Sequence, residues 1–388
     1  MLSVPPEVQL LLCCARSIVE PNIAERIRAL VQEPIDWTYL IQIAKYHALT
    51  PLVYDNLYET VPEGCPKAVL DKLEAITLAN ATRNIFLTQE LLKLLNLFAV
   101  HEIPVIPYKG PVLAVSSYRK PILRVFNDLD ILVHTWDYHF RVDTLLASHG
   151  WRRCSDYGWQ RGFVDVSGQV FLDVHEGITH REIPFQLSFN RAWKRCDTVS
   201  ISGSKLRTFS PSDLLMILCV QIAKDVAANK IQLNKICDLA EFIRSHQDID
   251  WEWILREARR LGVQTILYLG LHTAAELLDM PLPKDILQKG QAIKHISSLI
   301  THVRECIIGV TENTYSHPEL LNKSRFHAEV RERIRDRVDP KYTYLISTNS
   351  YDYSFVRLPR ALFLLYYVVR PIRLICKYGS ILFRQILR

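Results

Sequence analysis

The chain has 388 residues, of which 49% are hydrophobic and 23% charged, ordinary globular values that exclude a disordered, collagenous or coiled-coil protein. Its 13 glycines are few, which favours helix over turn-rich β architecture. The formal net charge of +6 belongs to one end: from Tyr353 to Arg388 there are seven cations and no acid, so the rest of the chain sits at −1 and offers no basic platform for nucleic acid.

Residues 1–98 read as a helical region. Asp36 caps a segment with Trp37, Leu40, Ile41, Ile43 and Ala44 at helical spacing, and a longer helix runs from Pro66 towards Phe98. Ile103 to Tyr108 is apolar and broken by prolines, which suits a strand. Lys109-Gly110 then turns into a short helix with Pro111 at its start. Asp128 to Val133 is a strand. A helix capped by Thr135 and stopped by Gly150 follows, with Tyr138, Val142, Leu145, Leu146 and His149 on one face. Trp151 to Cys154, Gly162 to Val166 and Gln169 to His175 read as strands, the last two joined at Ser167-Gly168, and a further hairpin turns at Ser202-Gly203-Ser204. Ser210-Pro211 opens a helix, and from there the chain reads helical. Three regions follow: 1–98 helical, 99–208 a small α/β core, and 209–388 helical with a basic amphipathic tail.

The nine cysteines show no C-x-x-C and no zinc spacing, so they read as buried free thiols in a reducing cytoplasm. No basic residue precedes the short apolar stretch Leu10 to Cys14, which argues against a secretory signal. The longest apolar run, Ala361 to Val369, is well short of the ~20 residues a bilayer needs, so no transmembrane helix is expected.

Asp128 and Asp130 carry the chemistry. At i and i+2 of a strand they share one face, about 7 Å apart, while Leu129, Ile131 and Val133 face the core. Two such carboxylates repel by roughly 2–3 kcal/mol at an effective dielectric of about 20. Solvation, a raised pKa or a bound cation relieves that, and open oxygen pairs suit Mg²⁺. In Val170-Phe171-Leu172-Asp173-Val174-His175 the alternation puts Asp173 and His175 on one face. If that strand lies beside the first, three carboxylates meet, as in-line displacement at phosphorus requires. Upstream, Lys109 and the Gly110 backbone at a helix start can meet phosphates, with Arg119, Lys120 and Arg124 adding charge. Arg124 either neutralises phosphate or pairs with Asp128; His175 either tunes Asp173 or is structural; Asn127 either caps or orients the aspartates. The tryptophans read as core anchors. His175-Glu176-x-x-x-His180 lacks the i, i+4 helical spacing of a zinc protease.

The series Tyr108-Lys109-Gly110, Arg124-x-x-x-Asp128-x-Asp130-Ile-Leu-Val and Leu172-Asp173-Val174-His175 resembles the uncharacterised nucleotidyltransferase family of the DNA polymerase beta superfamily. Asp36-Trp37, Ala44-x-x-His47-x-x-x-Pro51-Leu52, Ser210-Pro211-x-Asp213 and the helix bearing Asp238 extend the resemblance to the flanks. It implies an α-rich α+β fold in which a small mixed-sheet polymerase-beta-like core is flanked by helices. It also implies Asp128, Asp130 and Asp173 as catalytic metal ligands for Mg²⁺ or Mn²⁺, with Lys109, Gly110 and Arg124 on the nucleotide. Where the wider superfamily has Gly-Ser or Gly-Gly at the turn, Pro111 follows Gly110 here, which removes a hydroxyl from the phosphate site.

The expected activity is transfer of an NMP from an NTP to an acceptor hydroxyl with release of pyrophosphate, in the cytoplasm. The acceptor is open: small molecule, saccharide, protein or RNA end. Two other classes remain: a non-catalytic nucleotide-sensing or partner-binding protein of the same fold, and a membrane-surface protein bound through residues 353–388. That tail otherwise packs on the body with its arginines snorkelling.

Overall fold

Of the five helices that open the chain, the third starts at a side-chain cap read from the sequence, Asp36. The computed structural model describes residues 4–180, 182–293, 295–309, 323–333, 348 and 350–386. The first three residues, where a signal peptide would begin, and the last two of the basic tail lie outside the described residues, as do the Arg360 and Arg384 side chains. Helices α1 (Pro6–Cys14), α2 (Pro21–Leu30), α3 (Trp37–Tyr46) and α4 (Thr50–Thr60) precede the 34-residue α5 (Lys67–Val100). The Asp36 carboxylate accepts the Thr38 and Tyr39 N–H groups and so starts α3, one of the orphan-donor solutions a helix N-terminus needs. Along α5, Leu73, Thr77, Asn84, Leu87, Leu91, Leu94 and Phe98 form one buried stripe at three-, four- and seven-residue steps.

The sheet is five-stranded and mixed. Its strands are β1 (Val105–Pro107), β2 (Asp128–Val133), β3 (Arg152–Asp156), β4 (Gln160–Val164) and β5 (Phe171–His175), in spatial order β1-β2-β5-β4-β3. Only the β2–β5 pair is parallel. Its crossover carries α7 (Thr135–Phe140), α8 (Val142–Ser148), β3 and β4, after α6 (Gly110–Ser117) has followed β1. A parallel pair needs such a crossover, and this one moves β5 to the side of β2 away from β1. A hairpin of β6 (Asp197–Ile201) and β7 (Ser204–Thr208) stands apart, after α9 (Phe189–Arg195).

The period-2 rule divides the core in two. Leu129, Ile131, Val133, Leu172 and Val174 pack with Leu87, Leu91, Leu94 and Phe98 of α5 and with Tyr138, Val142 and Leu146. On the other face, Leu132 and Tyr108 join a larger core made of α1–α4 together with α10 (Pro211–Ala227), α11 (Leu233–Ser245), α12 (Trp251–Leu261) and α13 (Gln264–Leu278). The first and last thirds of the chain therefore share one apolar interior. Helices α14 (Lys284–Gln291), α15 (Ile296–Ile308), α16 (Lys323–Val330), α17 (Ser350–Phe355) and α18 (Tyr366–Ile386) complete the described chain. The molecule is α+β and helix-rich.

One expected helix is two. The segment from Thr135 breaks at Arg141, whose guanidinium turns back to Asp137 and to carbonyls after α5. Its cap is not Thr135 but His134, whose Nδ1 accepts the Trp136 N–H at 3.1 Å. Gly150 does stop the pair, at φ +82°, a left-handed position that glycine takes without a Cβ clash. None of the nine cysteines forms a disulfide among the described residues; six are buried, Cys196 is half-buried, and Cys154 and Cys376 are exposed.

Candidate active site

Asp130 and Asp173 face each other across the parallel β2–β5 pair, in register. Being level on adjacent strands, they share the sheet face that Asp128 also occupies two residues upstream. Asp130 is buried, Asp173 half-buried and Asp128 exposed. The close group is Asp130, Asp173 and His175: one ligand atom from each lies within 4.8 Å of the others. Asp128 stands at the exposed mouth, outside that group. His175 contacts Asp130 rather than Asp173; its Nε2 donates to Asp130 Oδ1 at 3.0 Å. Lys109 Nζ donates to the same oxygen at 2.9 Å.

The electrostatics of the two central carboxylates diverge. Burial pushes Asp130 upward, but the Lys109 ammonium and the His175 hydrogen bond outweigh it and hold the carboxyl far below the ordinary range. Asp173 is raised, first by burial and then by the Asp130 charge beside it, with a Gln160 hydrogen bond opposing. Like-charged neighbours split this way when only one can comfortably ionise. Lys109 is lowered by burial yet raised overall by Asp130, Tyr108 and Asp128, so it stays charged.

The ring of His175 packs edge-on against Tyr108 at 5.7 Å and tilted against Trp159 at 5.5 Å. Its Nδ1 and the Tyr108 hydroxyl are buried without a hydrogen-bond partner among the described residues. Such orphaned groups beside a carboxylate pair cost free energy unless a ligand or solvent atom reaches them. A divalent ion fits this donor set: two adjacent carboxylates, a third at the mouth and an imidazole, with oxygen donors suiting Mg²⁺ and the nitrogen suiting Mn²⁺.

Gly110 opens α6 at φ +50°, and a Cβ there would meet the Asp128 carbonyl at 3.3 Å. The turn thus needs glycine for its conformation and for its approach to β2. Two asparagines one turn apart on α5 hold the following loop: Asn80 donates to the Ile122 carbonyl and Asn84 to that of Arg124. Arg124 does not reach Asp128. Its Nε and Nη2 form a bidentate pair with Asp238 of α11 at 2.7 and 2.9 Å, and its Nη1 donates to the Gly110 carbonyl at 3.2 Å. Tyr118 also donates to Asp238. Burial raises the Asp238 carboxyl, but Arg124 more than reverses this. Arg119 and Lys120 turn the other way, to Asp55 and Glu59 of α4. Neither faces the aspartates, because local cation density says nothing about which acids a distant helix supplies.

A cleft of ≈620 Å³ opens in front of Asp128, Asp130, Asn127, Lys109, Gly110 and Arg124. Helices supply its opposite wall: Lys45 from α3, Arg83 from α5 and Lys235 from α11. Lys45 and Lys235 enter no ion pair among the described residues, which leaves positive charge facing the cleft. Lys224 of α10 is a further residue that periodicity did not single out. Its Nζ lies 5.7 Å from the centre of the Trp159 ring, and burial followed by Lys109 lowers its pKa. Only the alternation that paired His175 with Asp173 pointed to this side of the site from sequence. Lys45, Lys224 and Lys235 sit in helices with no local motif.

The uncharacterised nucleotidyltransferase family profile matches residues 33–279. No curated protein matches the chain. Among solved structures, a crystal structure of an antigenic nucleotidyltransferase-like protein from Paracoccidioides brasiliensis is 15% identical, covering 48% of this chain and 91% of that one at a TM-score of 0.27. The chain belongs to the uncharacterised nucleotidyltransferase family, and the matched span includes the turn at Lys109, both acidic strands and Asp238.

Proposed function

We propose that this member of the nucleotidyltransferase family moves an NMP from an NTP to an acceptor hydroxyl, releasing pyrophosphate, with Mg²⁺ or Mn²⁺ held by Asp128, Asp130 and Asp173. The observation that carries the reading is the in-register pair Asp130 and Asp173, two carboxylates side by side on adjacent strands, with Lys109 and His175 both bonded to Asp130. Asp130 stays ionised as the fixed ligand. Asp173 completes the ion site beside it and helps deprotonate the attacking hydroxyl. A divalent ion bound here would supply charge neutralisation at the reacting phosphate. Lys109 and the first N–H groups of α6 face the triphosphate, extended by Lys45, Arg83 and Lys235 across the cleft. Arg124 positions the turn through Gly110 and Asp238 rather than meeting phosphate itself. The cysteines form no disulfide among the described residues, which supports a reducing, cytoplasmic setting.

The test is label transfer. Purified protein is incubated with Mg²⁺ or Mn²⁺, each α-labelled NTP and cell extract, and the labelled product identified. Asp128→Ala combined with Asp130→Ala should abolish transfer; a double variant with full activity sinks the assignment. A second reading rests on one feature: Lys109 and His175 already satisfy Asp130 Oδ1. A site closed in this way would bind nucleotide without turning it over. Metal-dependent NTP binding with no label transferred to any acceptor in the extract would select that reading.

A further inference from the structure

The C-terminal helix is amphipathic the wrong way round for a helix packed on a body in water. Arg370 and Arg373 of α18 point inward, where both bind the fully buried Asp352 of α17, at 2.8 and 2.6 Å. Tyr366 is also buried, its hydroxyl donating to the Val356 carbonyl and accepting the Leu358 N–H. Tyr353 packs on Tyr366 and Phe363 and reaches His139 of α7 at 4.1 Å, so this unit is tied to the catalytic half. The opposite face of α18 carries Tyr367, Val368, Ile372 and Ile375, all half or more exposed, Ile375 by 70%. The 3₁₀ turn before it, Arg360–Leu365, adds Leu364 at 76%. A helix in water normally does the reverse, hiding its apolar stripe and solvating its cations. Exposed apolar surface on this scale marks a contact site.

We infer that the apolar face of α18 and the turn before it lies on a bilayer surface containing anionic lipid. Charge selects this occupant over a second copy of the chain. From Tyr353 onward the sequence holds seven cations and no acid, and Asp352 just before them is already bound by two of them. Face-to-face pairing would bring like charges together, whereas anionic headgroups offer the complementary charge to exposed Arg357 and Lys377. No helix among the described residues is long and apolar enough to cross a membrane, so the contact is interfacial: apolar side chains enter the acyl boundary while flanking cations stay at headgroup level.

The test is co-sedimentation of the full chain with vesicles of phosphatidylcholine alone or with phosphatidylserine at roughly 7:3. Because Val368 and Ile375 are exposed, Val368→Asp with Ile375→Asp should keep the wild-type melting temperature. The expected result is binding to the anionic vesicles about tenfold or more above the neutral ones. That binding should be lost in the Asp variant and weakened by raised salt and by Arg357→Glu with Lys377→Glu. Equal pelleting with both vesicle types, no pelleting with either, or pelleting unchanged in the Asp variant would overturn it. A lipid-free dimer that the Asp variant dissolves would do so too, by assigning the face to self-association.

Discussion

Two buried ionic clusters flank the cleft, and they are built to different ends. Around Asp238 every strong group is answered: Arg124 binds it through two nitrogens, Tyr118 adds a hydroxyl, and the remaining guanidinium nitrogen reaches the Gly110 carbonyl. Around Asp130 the accounting stays open. One oxygen takes two donors, Asp173 beside it is pushed towards its protonated form, and His175 Nδ1 and the Tyr108 hydroxyl are orphaned. A closed cluster is stabilising only as a unit, since removing one partner strands a buried charge. An open one sits at a cost that a ligand can relieve, which is the usual state of a functional site.

The sharpest way to break this contrast is to neutralise Asp173. Asp173→Asn removes a carboxylate that is already disfavoured, so denaturant unfolding should show stability unchanged or slightly raised. NTP transfer should nevertheless fall about 10³-fold, or ~4 kcal/mol in the barrier. A loss of both together would make the open cluster merely structural. Asp238→Ala should do the opposite. It strands Arg124 and should cost about 3–5 kcal/mol in an unfolding titration, and residual activity should track the folded fraction.

Proton linkage separates the two clusters further. Asp238 has a folded pKa below its unfolded value, so its stabilisation is fully present above about pH 4 and disappears as pH falls through the folded value. Asp173 has a folded pKa above its unfolded value. The folded protein therefore keeps a proton the unfolded chain has lost, and stability drops as pH rises through that interval. A bound divalent ion replaces the proton, so the rise in melting temperature caused by Mg²⁺ should be larger at neutral pH than at pH 5, and chelator should abolish it. A shift independent of pH would leave Asp173 outside the ion's reach. The smallest effect belongs to the solvent-facing cations: Arg119→Ala, which removes contacts with Asp55 and Glu59, should change stability by about 1 kcal/mol or less and leave NTP affinity as it was.

How much of this was legible beforehand follows from range. The Asp36 and Ser210 caps, the facing sides of β2 and β5, and the glycine turn at Gly110 are local matters of spacing and conformation. They read correctly because a helix or strand imposes its period on any neighbours it has. The break at Arg141 was not legible, since a helix continues through an arginine unless carbonyls elsewhere recruit it. Arg124 showed the same limit more sharply. Its partner is more than a hundred residues away on α11, and proximity in sequence to Asp128 counted for nothing once β2 and α6 were oriented.

From its residues alone, the chain settles an acidic strand pair, a glycine turn before it, a helical body and a basic, apolar tail, because periodicity and side-chain chemistry are properties of short segments. Tertiary structure alone decides that Asp130 rather than Asp128 lies in the close cluster with Asp173, that His175 bonds Asp130, and that α18 turns Arg370 and Arg373 inward. Those are choices among partners on different elements. Burial makes them, by requiring each charge taken from water to find an opposite one wherever the fold has placed it.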